Sequence, residues 1–100
     1  MDAGVTRWPG LKPEAVEDFR VNTVPAARQL DGITEILLLV DEGSGRAITI
    51  TLWDTEEAML AREPTAQRLR DEDVDSGLAG EQPVVERYKL AVREILYRAA

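Results

Sequence analysis

The sequence predicts an α+β fold of βαββαβ order with an antiparallel sheet, and three observations predict it. Two β-branched, aliphatic blocks, Ile33–Val40 and Arg46–Trp53, flank the polar loop Asp41-Glu42-Gly43-Ser44-Gly45 as the arms of a hairpin do. Amphipathic helical patterns precede and follow that hairpin. Short strand-like segments open and close the chain, and 100 residues (11.1 kDa) are enough for one core, so residues 1–100 form a single domain.

Gly4 to Trp8 is the first strand, stopped by the turn signal Pro9-Gly10. Pro13 suits a first helical turn, and Glu14, Glu17 and Asp18 follow where negative charge opposes the macrodipole. Val16, Phe19, Thr23, Val24, Ala27 and Leu30 recur at three- and four-residue spacing, so one helix spans 13 to 30. Pro25 removes a backbone donor inside it, which predicts a kink or break near Asn22.

If Val40 faces Arg46 across the hairpin loop, Leu38 pairs with Ile48 and Ile36 with Ile50 on one face. That face, extended by Leu52, is wholly aliphatic and calls for covering helices; burying each such side chain is worth about 1.5–3 kcal/mol. The same register puts Leu37 and Leu39 on the other face with Thr49, Thr51 and Trp53. Such a face is too apolar for water, so it calls for a second subunit, a small molecule, or both.

Asp54-Thr55-Glu56-Glu57 starts the next helix, with Asp54 as the cap and Glu57 reaching back to it. Ala58, Met59 and Ala61 follow, Pro64 interrupts, and a second stretch from Thr65 to Asp71 continues at an angle. Asp71 to Gln82 reads as an exposed acidic loop. Its alternating acids resemble a calcium loop, but Ser76 stands where that loop needs glycine and Gln82 where it needs glutamate, so no metal is expected. From Pro83 onward, Val85, Tyr88, Val92, Ile95 and Leu96 fit a helix, while Val84, Tyr88, Leu90 and Val92 fit a strand. The strand, running through Val92, completes the βαββαβ unit. Residues 93–100 stay open between a longer strand, a helix and an arm reaching across a dimer.

The chain has no His and no Cys. That excludes imidazole and thiolate metal sites, a His-ligated haem, a Cys nucleophile and a hydroxyl nucleophile with a His base. A net charge of -7 with scattered basic residues speaks against nucleic acid. Neither a signal-peptide pattern nor an apolar run of about 20 residues is present, so a cytoplasmic protein without a membrane partner is expected.

Three segments carry a family resemblance: Val5-Thr6-Arg7, Asp31-Gly32-Ile33, and Ile50-Thr51-Leu52-Trp53-Asp54-Thr55-Glu56-Glu57-Ala58. Together with the order of elements they resemble the antibiotic biosynthesis monooxygenase family across nearly the whole chain. The resemblance implies a ferredoxin-like fold, a homodimer whose two sheets pack as a dimeric α/β barrel, and a pocket between sheet and helices or within the barrel. It also implies oxidation of aromatic polyketides without a cofactor, the substrate itself supplying electrons to oxygen. The family's strand tryptophan matches Trp53, whereas its asparagine four residues earlier is Thr49 here, its tyrosine six residues later is Met59, and a helix arginine matches Arg70. The helix histidine of haem-degrading relatives has no counterpart. The resemblance implies Trp53 and Thr49 as catalytic residues with Met59 and Arg70 against the substrate, and the second hairpin face adds Leu37 and Thr51, with Trp8 over the same pocket. Two function classes follow: a cofactor-independent oxygenase of a phenolic or polyketide-like molecule, and a non-catalytic dimer that binds a small ligand or serves a stress response.

Overall fold

The computed structural model describes residues 1–97. Strands β1 (Asp2–Trp8), β2 (Ile33–Val40), β3 (Ala47–Trp53) and β4 (Val84–Lys89) form one antiparallel sheet in the order β2-β3-β1-β4. Helices α1 (Glu14–Asp18) and α2 (Val24–Arg28) lie between β1 and β2, and α3 (Glu56–Ala61) and α4 (Glu63–Asp75) between β3 and β4. The architecture is the expected ferredoxin-like α+β fold.

The break expected near Asn22 is a π-helical turn, Phe19–Thr23, that joins α1 to α2. There the Val24 N–H donates to the Phe19 carbonyl, five residues back. Pro25 has no N–H to give, and widening the helix by one residue absorbs the ring without ending the helix. Ala15 and Ala27 are buried on its inner side, while Val16 is exposed.

The hairpin register differs from expectation by one residue, and the loop is the reason. The Asp41 carboxylate accepts from the Gly43 N–H (3.1 Å), the Ser44 hydroxyl (3.0 Å) and the Arg46 guanidinium (3.2 Å). The Arg46 hydrogen bond first, then those of Ser44 and Gly43, hold that carboxyl below its usual range. Asp41 and Arg46 thereby become the closing pair, with the Asp41 N–H donating to the Arg46 carbonyl at 2.8 Å and Gly45 at φ +80°. Val40 therefore pairs with Ala47, Leu38 with Thr49, Ile36 with Thr51, Leu39 with Ile48 and Leu37 with Ile50.

A one-residue slip exchanges the faces of one strand relative to the other. Ile36 and Leu38 share the helix-covered face with Thr49, Thr51 and Trp53, and the aliphatic row Leu37, Leu39, Ile48 and Ile50 lies on the opposite face, which the helices do not cover; Leu52, at the end of that row, is buried. Trp53 is thus enclosed by the helices of its own chain and does not lie on the face expected to meet a second subunit or a ligand, and only Leu37 and Leu39 of that set lie in the open, at 37% and 50% exposure.

Other boundaries move for local reasons. The cap of α3 is Thr55 and not Asp54: the Thr55 hydroxyl accepts from the Ala58 N–H at 3.0 Å, while the Asp54 N–H donates to the Gly32 carbonyl at 2.8 Å. Gly32 itself sits at φ +91°, and a Cβ there would lie 2.6 Å from that of Ala58, so no other residue fits this corner. Pro64 lies in the first turn of α4, where its missing N–H costs nothing. The acids from Asp71 to Asp75 continue α4 and do not form the expected loop; Gly77, at φ +83°, follows the helix end. β4 stops at Lys89, three residues short of Val92. Residues 90–97 form neither strand nor helix, and 98–100 lie outside the described residues.

Candidate functional site: a hollow between sheet and helices

The residues that ought to form a solid core instead wall a cavity. Among the described residues no large side chain falls below 2% exposure, which is unusual for close-packed interiors. The cavity lies between the helix-covered face and the helices, with a volume of about 110 Å³. A single water needs about 10–15 Å³, so the space suits a ring-sized ligand. Trp8, Leu11 and Leu38 of its lining belong also to a small buried apolar cluster with Ala47, Ala79 and Val74.

The sheet contributes Gly4, Thr6, Trp8, Ile36, Leu38, Thr49, Thr51, Trp53, Val85 and Arg87 to the walls; Phe19 and Leu30 approach from the segment between β1 and β2, and Met59, Leu69 and Arg70 from the helices between β3 and β4. Of the seven residues expected from sequence, the structure brings six together here: Trp53, Thr49, Trp8, Thr51, Met59 and Arg70. Leu37 is the exception, turned to the other face by the register. Trp8 and Trp53 are 5% and 3% exposed, and their indole N–H groups donate to the hydroxyls of Thr49 (3.1 Å) and Thr51 (2.9 Å).

Polar groups converge at the α4 wall. The Arg70 guanidinium is buried, donating to the carboxylate of Glu63 and, at 3.0 Å, to Gln67, while Glu63 also pairs with Arg87 at 3.1 Å. Arg70 Nε is buried with no partner among the described residues. Asp73, one turn beyond Arg70, lines the same cavity. Burial first, then the charges of Asp18 and Glu72, push its carboxyl up to about 6. Asp73 is hidden as a site residue in the sequence, because the acidic run reads as loop. Extending α4 through it would have aligned Glu63, Ala66, Arg70 and Asp73 on one face by three- and four-residue spacing.

A carboxyl raised from 3.8 favours folding fully below about pH 4, and that contribution is lost as pH rises through about 6. Asp73→Asn should therefore stabilise the protein at pH 7. Discounted for its partial exposure, the gain is about 1 kcal/mol, or about 4–8 °C in melting temperature. Calorimetric scans at pH 7 and pH 4 check this; the gain should vanish at the lower pH.

An antiparallel sheet, helices on one side and a hollow between them define a ferredoxin-like α+β protein with an internal ligand-sized cavity. Known proteins share that form. A structure from Deinococcus radiodurans, described provisionally as an antibiotic biosynthesis monooxygenase, superposes with a TM-score of 0.70 at 19% identity, over 99% of this chain and 100% of that one. A monooxygenase of Streptomyces coelicolor, solved with the ligand nanaomycin D, gives 0.70 at 16% identity over 98% and 92%. The fold is that of these monooxygenase structures, as the sequence resemblance implied. No protein-family model matches the chain. Among curated proteins, an uncharacterised Mycobacterium tuberculosis protein is 35% identical over 77 residues, 77% of this chain and 34% of that protein. A second from the same organism is 42% identical over 48 residues, 48% of this chain and 20% of the other. The chain thus spans about a third of the length of the longer-matching relative. Among the described residues, no helix is long and apolar enough to cross a membrane.

Proposed function

We propose that the cavity holds a small aromatic, polyketide-like molecule and that the protein oxidises it with molecular oxygen, without a cofactor. The observation that carries this reading is the hollow itself, walled by Trp8, Trp53 and Phe19 and edged with threonine hydroxyls and Arg70. In this reaction a phenol and one O₂ give a quinone and one water. One oxygen atom becomes the new carbonyl and the other leaves as water, and the substrate supplies all four electrons. Trp53 and Thr49 take the reacting ring, Thr49 holding the oxygen on which phenolate charge develops. Trp8, Thr51 and Met59 shape the walls and exclude water. Asp73 accepts the phenolic proton, and Arg70 stabilises the anion.

A second reading, ligand binding without turnover, is favoured by one observation: Thr49 and Met59 stand where the resembled oxygenases carry asparagine and tyrosine. Oxygen-electrode measurements with a panel of electron-rich phenols, free of flavin and metal, separate the two. The oxygenase reading expects one O₂ consumed per quinone formed and a rate lowered about 10-fold or more in Trp53→Phe (about 1.4 kcal/mol). Saturable binding with no oxygen uptake supports the second reading instead.

The protein also acts, in this proposal, as a homodimer joined through the uncovered sheet face. Its Val5, Leu37, Leu39, Ile48 and Ile50 form an apolar centre, and the Arg7–Glu86 ion pair and Tyr88, whose hydroxyl donates to Glu86 at 2.8 Å, form a polar border. That arrangement matches the apolar core and polar rim of protein interfaces. We assign the protein to the cytoplasm, with no nucleic-acid or membrane partner.

A further inference from the structure

We infer that Thr49 and Thr51 select the ligand by presenting two hydroxyl protons, so that the preferred molecule is an aromatic ring carrying two acceptor oxygens at opposite ends. This deepens the small-molecule reading above and rests on it. An indole N–H can only donate, and each of the two tryptophans spends its N–H on one of these hydroxyl oxygens: Trp8 on Thr49 at 3.1 Å, Trp53 on Thr51 at 2.9 Å. Neither hydroxyl donates to any acceptor among the described residues. Accepting a hydrogen bond polarises an O–H toward giving its own proton, and both side chains line the cavity. The pair is therefore biased to donate to whatever lies inside.

Their separation follows from the strand. Positions i and i+2 face the same side and stand about 6.6–6.8 Å apart along β3, which is the span of two carbonyls across a benzene ring. Gly4, paired with Thr51, keeps the second position open: a Cβ at Gly4 would come within 2.8 Å of the Thr51 hydroxyl oxygen. The tryptophans in turn hold both hydroxyls in place, so the selectivity is built into the sheet.

Isothermal titration calorimetry of the whole chain with para-diacetylbenzene and with para-diethylbenzene tests this. These probes share shape, but only the first carries two carbonyls. The wild type should bind the diketone more tightly. Thr49→Val and Thr51→Val should each weaken diketone binding about 3- to 10-fold, leave the hydrocarbon within about 2-fold, and combine in the double variant. Thr49→Ser and Thr51→Ser, which keep the hydroxyl, should restore diketone affinity; a valine effect that serine does not rescue overturns the inference. Equal affinity for the two probes, or valine variants that keep diketone affinity, would also overturn it while leaving an apolar ligand pocket standing. If neither probe binds the wild type, the small-molecule reading falls with it.

Discussion

Trp53→Ala should lower stability by about 3–5 kcal/mol, the usual loss when a buried aromatic is truncated and its surroundings cannot collapse. Trp53 is 3% exposed and stands at the end of β3, where its ring approaches the Gly32 corner and its N–H meets Thr51. Collapse is difficult here because the cavity already removes packing from one side of the ring. A domain of this size has about 5–15 kcal/mol in total, so most of its margin should go. Urea titration checks this: the midpoint should fall while the slope holds, since the change in surface on unfolding is nearly the same. Trp53→Phe keeps most of the ring and should cost markedly less. If the two variants unfold alike, the hydrogen bond to Thr51 matters more than the packing.

Leu39→Glu should convert the proposed dimer to a monomer. Leu39 is 50% exposed in the single chain, so the charge costs the isolated fold little. In a two-fold dimer the same substitution enters twice, opposite an apolar row, and an unpaired buried charge costs about 3–5 kcal/mol. Association should weaken by more than about 100-fold. Light scattering at micromolar concentration should report twice the 11.1 kDa chain mass for the wild type and that mass once for the variant. A wild type that is already monomeric removes the barrel from the proposal, yet leaves the cavity intact, because its walls come from one chain.

Six of the seven expected site residues meet in one cavity, although the expected hairpin register was wrong. Trp53, Met59 and Arg70 were placed by the resemblance and by helix order, which do not depend on strand pairing. Leu37 was placed through the register and was lost with it. Arg70 shows the limit in another way: a helix arginine flanked by charged residues looks solvated in sequence, and only its pairing with Glu63 across two turns explains its burial.

The sequence by itself determined the order of elements, the hairpin, the disturbance that Pro25 brings to the first helix and the exclusion of imidazole and thiolate chemistry. Each follows from local chemistry: glycines and acids in a loop, a missing N–H, absent side chains. Which face of the sheet the helices cover was decided only by the tertiary structure. Ile36, Leu37, Leu38 and Leu39 are apolar on both sides of β2, so their pattern carries no preference between the faces. The closing contacts of Asp41 and Arg46 fixed the register, and with it put two threonines and a tryptophan beneath the helices, where a purely aliphatic row would have left no polar group to meet a ligand.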